Sequence, residues 1–325
     1  MTSILSCPNC DAKELTHHLQ IDKLNFSQNL RSGDIFKCIS CDVHLLSPAP
    51  SESDINELYV ETGVFSKEVK SAYQNKAFSS ILERAYLRFG RDYEYIAKKS
   101  VEIAKLDRNS CILDVGCSIG VQMTAIQAKI PQCLVEGIDI DPGAKTNALP
   151  GMSDLIRIGH IDELAFDKKY DLIIFRFVIE HLPSCKKHIQ IMRSLLKPGG
   201  VLVIATPDIG SAHARQQGEN WNMISSDRFK IGHCAWYTKS ALINLLRRHD
   251  FEVIEVRNRG SLLAEAPRAV QKFLIATLGR DKLQGRFISN YQLRMLWASF
   301  VDGAISEKIS RGDMMYGFFR KPLAK

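Results

Sequence analysis

No apolar run in this 325-residue chain approaches the ~20 residues that a bilayer crossing needs. Met1 to Cys10 lacks the charged start and the apolar block of a signal peptide. Together these absences predict a cytoplasmic protein with its nine cysteines reduced. Excess charge is also missing from most of the chain. Residues 1–258 carry 31 Lys and Arg against 31 Asp and Glu, so the net +7 comes wholly from residues 259–325, with 12 against 5. A basic tail of this kind attracts phosphorylated ligands, nucleic acid or an anionic membrane face, or is simply a solvated helix. Length and a 45% hydrophobic content suit one large core with a satellite, or two domains.

The first 50 residues hold little apolar content but two Cys-x-x-Cys turns, Cys7/Cys10 and Cys38/Cys41, separated by 27 residues. Four thiolates on two tight turns can close a tetrahedron around Zn²⁺, and so small a unit needs such a clamp to fold. A redox pair would instead follow a strand and open a helix, which neither turn does. Structural zinc is therefore expected, with a short hairpin filling the long gap. Such a unit does not by itself imply nucleic acid. Residues 51–109 read as a helical linker or lid: Ser51 or Ser53 can cap a short helix, and Tyr73, Phe78, Ile81, Leu82, Ala85, Tyr86 and Phe89 recur at helical spacing. A further helix from about Asp92 to Leu106 carries Tyr95, Ile96 and Ile103 along one side.

From residue 110 the pattern becomes strand, helix, strand. Cys111 to Val115 is a short buried strand running into Gly116-Cys117-Ser118-Ile119-Gly120 and a helix from Val121 to Lys129. A second strand, Leu134 to Ile140, places Asp139 where a carboxylate can accept hydrogen bonds from both hydroxyls of a ribose. A pyrophosphate loop wants a third glycine where Val121 stands, and no anion at the strand end, yet Asp114 is there. An anion at that point suits a ligand with a cationic end.

The stretch Asp114-Val115-Gly116-Cys117-Ser118-Ile119-Gly120 resembles the Asp-x-Gly-x-Gly-x-Gly loop of class I S-adenosylmethionine-dependent methyltransferases. Ser118 replaces the middle glycine, a change that a negative φ would make tolerable. Gly159 to Phe166 is similar to that family's Gly-Asp-x-x-x-Leu-Pro-Phe tract, with His160 in place of the aspartate that receives the adenine amino group, and Ile161 after it. Tyr170 to Phe177, ending in Arg176 and Phe177, is a doubly buried strand, and Val178-Ile179-Glu180-His181-Leu182-Pro183 resembles the family's Val-Leu-Glu-His-Leu tract. Lys197-Pro198-Gly199-Gly200 precedes a fifth strand, and Thr206-Pro207-Asp208 and Gly232-His233-Cys234-Ala235-Trp236 are similar to segments of methyltransferases acting on small metabolites, including the ubiquinone-pathway O-methyltransferases.

The resemblance implies an α/β doubly wound, Rossmann-like seven-stranded sheet, with the donor domain over residues 110–258 and a basic helical insertion and last strand over residues 259–325. It implies S-adenosylmethionine held by Asp114, Gly116, Cys117, Ser118, Gly120, Asp139, Ile140, His160, Ile161 and Arg176. Histidines 181 and 233, with Glu180, follow strands four and five and are the candidates for acceptor chemistry. The strand-four end lacks both the Asn/Asp-Pro-Pro-Tyr/Phe tract of exocyclic-amine enzymes and the Pro-Cys nucleophile of cytosine-C5 enzymes. The expected acceptor is a small molecule or glycan, such as a sugar or nucleotide-sugar, methylated at O or C, with the insertion as a cap that fits a diphosphate. A dimer face or a membrane-surface contact is the other role open to the insertion. Two rival readings are an RNA methyltransferase with an N-terminal zinc module, and a decayed donor site on a partner-binding module.

Overall fold

The computed structural model describes residues 6–22, 24, 32–61, 92–224, 232–259 and 312–323. The aromatic stripe from Tyr73 to Phe89 and the basic insertion over residues 261–311 lie outside the described residues.

Two sheets organise the described chain. The smaller is antiparallel, in the order β1 (Leu15–Ile21), β2 (Gly33–Cys38), β3 (His44–Ser47) and β9 (Ala235–Trp236). β1 and β2 are the hairpin expected between the cysteine turns. The fourth strand comes from nearly 190 residues downstream, where His44 pairs with Trp236 and Leu45 with Ala235.

α1 (Glu52–Asn56) follows, capped by Ser51, whose hydroxyl accepts from Asp54 N at 3.2 Å while the Asp54 carboxylate accepts from Ser51 N at 2.9 Å. That reciprocal pair satisfies two otherwise orphaned donors. The chain then widens into one π-helical turn, Glu57–Glu61.

The larger sheet has seven strands. Its parallel part runs β7 (Tyr170–Arg176), β4 (Cys111–Val115), β5 (Leu134–Asp139), β6 (Ile156–Ile158), with β8 (Leu196–Pro207) on the other flank of β7. β11 (Met314–Arg320) lies antiparallel between β8 and β10 (Glu252–Arg259). Numbered within this sheet alone, the strand order is 6-7-5-4-1-2-3. The chain reverses direction beside β4, and the cleft where α/β folds bind ligands opens at that reversal. β8 starts earlier than expected, at Leu196, which pairs with Tyr170 before Lys197 to Gly200 bulge out and the register resumes at Val201 beside Leu172.

Alternation at period two fills both faces of the sheet. Ile173, Phe175, Leu202 and Ile204 point into one core together with Ile189 and Met192 of α5 (Lys186–Leu195) and Leu242 and Leu245 of α7 (Lys239–Arg248). Leu172, Ile174, Val201 and Val203 point into the other, with Tyr95 and Ile96 of α2 (Asp92–Ala104) and Met123 and Ile126 of α3 (Val121–Lys129). The buried Tyr95 ring packs edge-on against Tyr316 at 5.5 Å. Three of the four N-terminal cysteines, with Val43 and Leu45, are part of the first core. A third cluster joins Ile35, Leu46 and Leu58 to Trp221 and Trp236.

Candidate functional site

The glycine loop leaves β4 at the reversal point. Gly116 has φ +75, and a Cβ there would lie 2.3 Å from Val178 Cγ2, so this turn requires glycine. Ser118 departs from the expectation of a negative φ: it adopts φ +47. A left-handed residue with a side chain costs about 1–2 kcal/mol. The conformation aims Ser118 N at the Asp139 carboxylate, at 2.7 Å. A hydrogen bond to a charged acceptor contributes roughly 1.5–3 kcal/mol, enough to offset the strain. The other Asp139 oxygen accepts from Asp141 N at 2.9 Å, which fixes the plane of the carboxylate and leaves lone pairs on both oxygens for ribose hydroxyls. α4 (Pro142–Thr146) then starts under the Asp141 cap, with Pro142 in the first turn.

Asp114 is 2% exposed, and burial, with Asp139 nearby, pushes its carboxyl up to about 7 against the opposing pull of Arg176. One of its oxygens, Oδ2, is buried with no hydrogen-bond partner. Arg176, at the end of β7, is clamped between the rings of Tyr93 (3.9 Å) and Phe177 (4.3 Å), with Asp92 at 3.9 Å, and its Nε is likewise buried and unpartnered. An orphaned carboxylate oxygen and an orphaned guanidinium nitrogen beside a ribose-type carboxylate fit a donor whose amino-acid end carries both charges.

The other expected donor residues divide. Asp114, Gly116, Cys117, Ser118, Gly120 and Asp139 come together around the loop, and Ile140 follows directly. Ile161 is 5% exposed and belongs to the core beneath the cleft. The His160 side chain is exposed on the loop after β6. The Cys117 thiol packs inward, where burial raises it well above its ordinary value.

The three acceptor candidates meet. Glu180, His181 and His233 present ligand atoms within 4.8 Å of one another, and the two imidazole centroids are 4.7 Å apart. His181 Nδ1 donates to Gly232 O at 2.9 Å, and His233 Nδ1 donates to Met223 O at 2.8 Å. Burial lowers His181 to about 4 and holds His233 well below its usual value, so both rings are neutral at pH 7. With Nδ1–H committed to a carbonyl, the lone pair of the His233 ring sits on Nε2. Glu180 is 1% exposed, and burial pushes it up to about 8. Its Oε2 accepts from Thr206 Oγ1 at 3.0 Å, while Oε1, unpartnered, lies 4.0 Å from His233 Nε2.

Sequence reasoning missed Tyr59. Its hydroxyl lies 2.5 Å from His181 Nδ1 and its ring stacks edge-on against the imidazole at 5.5 Å. Gly232, with φ +66, makes room: a Cβ there would lie 2.5 Å from Leu58 and 2.6 Å from the Tyr59 hydroxyl. The only available signal was a glycine directly before the candidate histidine.

Behind this corner lie the four cysteines. Their sulfurs all fall within 4.8 Å of one another, with Cys7 to Cys41 and Cys10 to Cys38 each 3.5 Å apart. A tetrahedral zinc at ~2.3 Å from each thiolate needs sulfurs roughly 3.8 Å apart, so little rearrangement is required. A hydrogen bond from Cys41 holds Cys7 at about 5, and the same contact pushes Cys41 up.

A family model described as a methyltransferase domain matches residues 86–256, just over half of the chain. Among curated proteins, the malonyl-[acyl-carrier protein] O-methyltransferase of Priestia megaterium is 27% identical over 156 residues, covering 44% of this chain and 56% of the relative. The ubiquinone biosynthesis O-methyltransferase of Rickettsia felis is 31% identical over 122 residues, 35% of this chain and 48% of the relative. The chain spans about half the length of the curated relatives it matches. Of solved structures, the plantazolicin methyltransferase BpumL in complex with SAH aligns at 14% identity over 82% of this chain and 93% of that one, with a TM-score of 0.46.

Proposed function

We propose, from the premise that this chain belongs to the class I S-adenosylmethionine-dependent methyltransferases, that it methylates a hydroxyl, or an acidic carbon, of a small-molecule or sugar acceptor. S-adenosylmethionine supplies an activated methyl group on a sulfonium, so the protein has mainly to align the acceptor and take up a proton. Asp139 would hold the ribose, and Asp114 and Arg176 would face the ammonium and carboxylate of the donor. His233, neutral and with Nε2 open, would take the acceptor proton; Glu180, protonated at neutral pH, would face the same nitrogen. His181 would orient the acceptor.

The observation that carries this reading is the pairing of two neutral imidazoles, each fixed through Nδ1 on a backbone carbonyl, with a buried carboxyl whose one oxygen is unpartnered. An oxygen acceptor is also what the names of the malonyl and ubiquinone relatives point to. Cys7, Cys10, Cys38 and Cys41 would hold a structural zinc. Calorimetry of the reduced chain with S-adenosylhomocysteine tests the donor half, and transfer of labelled methyl to a panel of phenols, carboxylic acids and nucleotide-sugars tests the acceptor half. Absence of binding heat would end the reading.

A further inference from the structure

The two cysteine turns grip different parts of the acceptor corner. Pro8 O accepts from Ser184 Oγ at 3.0 Å, and the buried Asn9 side chain accepts from Cys185 N at 3.1 Å and from its thiol at 3.2 Å. Asp11 pairs with Lys186. Residues 184–186 leave the Glu180–His181 turn after only Leu182 and Pro183, so the first cysteine turn holds the exit of the segment bearing His181.

The second turn holds the other histidine. Asp42, next to Cys41, accepts from Thr238 Oγ1 at 2.5 Å and from Ser240 Oγ at 2.7 Å. Ser40 O accepts from Arg248 at 3.1 Å. His44 and Leu45 pair with Trp236 and Ala235, and Leu46 N donates to Cys234 O at 2.9 Å. Cys41 is thus three residues from a strand whose partner begins two residues after His233. Both short sulfur contacts, Cys7 to Cys41 and Cys10 to Cys38, join one turn to the other.

We propose that a zinc ion held by the four thiolates acts as a clasp between the two turns, setting the spacing of His181 and His233, so that the cysteine module positions the acceptor corner and not the donor cradle. The proposal rests on reading these histidines as the acceptor pair. The cradle is insulated because its hydrogen bonds run among residues 114–141, to Leu149 and Gly159 and along the neighbouring strands, and touch neither turn.

The test is hydrogen exchange on the full chain with S-adenosylhomocysteine bound, before and after zinc is stripped by a chelator under reducing conditions. Stripping is expected to speed exchange of residues 178–186 and 232–240 about tenfold or more, while residues 111–120 and 134–140 and nucleoside affinity stay within about twofold. Unchanged exchange in the histidine segments, equal loosening of the cradle, or a purified chain without bound zinc overturns it. Asn9→Ala and Asp42→Ala leave all four thiols in place and decide the matter even if the stripped chain unfolds. Because His181 on Gly232 O and Cys234 N on Glu180 O couple the segments, the first should free residues 178–186 more than 232–240 and the second the reverse; freeing both equally or neither overturns the division of labour. Failure of the untreated chain to bind the nucleoside would instead sink the methyltransferase reading and leave the metal-dependent exchange standing.

Discussion

The candidate donor cradle and the candidate acceptor corner open on the same end of one sheet and are built in opposite ways. The cradle is local: Gly116 N and Cys117 N donate to Ile138 O at 2.8 and 3.1 Å, and Ser118 N and Asp141 N converge on Asp139, all within a single βαβ unit. The corner is assembled from distant segments, with Tyr59 reaching His181 across 122 residues and the module joining through a two-residue strand. A site made of backbone groups on adjacent strands inherits the rigidity of the sheet. A site made of side chains from separate loops is only as well defined as whatever holds the loops: here His181 Nδ1 on Gly232 O and Cys234 N on Glu180 O join the two segments directly, and the cysteine module grips both from outside. Loss of the module should therefore damage the two halves unequally.

Substitutions can break or sharpen this contrast. The largest effect is expected for His233→Ala: turnover falls about a hundredfold or more, while S-adenosylhomocysteine affinity is nearly unchanged. Unchanged turnover would remove His233 from the site. Asp139→Ala should do the reverse, weakening nucleoside binding by about a hundredfold through the lost charge-assisted hydrogen bonds. Calorimetry reads the loss, and exchange protection around His233 should persist.

Tyr59→Phe keeps the ring on His181 and removes only the hydroxyl. We expect turnover to fall about tenfold with donor affinity intact, and a wild-type rate would make the contact merely structural. The smallest effect concerns pH. Glu180 stays protonated in the fold up to about 8, whereas in the unfolded chain it ionises above ~4.5. The unfolded state therefore binds fewer protons in that window, and Glu180 makes stability decline as pH rises through it. Glu180→Gln should flatten that decline in thermal melts between pH 5 and pH 8. His181 acts in the other direction: its contribution is complete above ~6.5 and is lost as pH falls through about 4.

The contrast also separates what could be read in advance from what could not. The cradle was legible because strand, bend, helix and the second carboxylate occupy one continuous stretch, each marked by its own pattern. Ser118 shows the limit within it: residue type allowed a negative φ, but the pull of Asp139 on its N–H selects the left-handed one. In the corner, Glu180, His181 and His233 were legible as candidates from their places after strands, but not that His233 would be buried, His181 half-buried and both imidazoles neutral. Tyr59 gave no signal, being one aromatic on a short helical turn, and its contact with His181 exists only because Gly232 leaves room for it. Nor does Ala235–Trp236 have any pattern that assigns it to the sheet of a module nearly 190 residues upstream.

The sequence by itself determined the alternating α/β order, the glycine loop with Asp114 and Asp139 beside it, and the four thiols at metal-binding spacing. These depend on neighbours within a few dozen residues, whose geometry is set by backbone periodicity and turn chemistry. Only the tertiary structure decided that the cysteine turns hold the two histidine segments, that Glu180 is buried beside them and protonated, and that a tyrosine from the N-terminal arm completes the corner. Protonation and contact across such separations depend on which surfaces exclude water together, and folding is what brings those surfaces into contact.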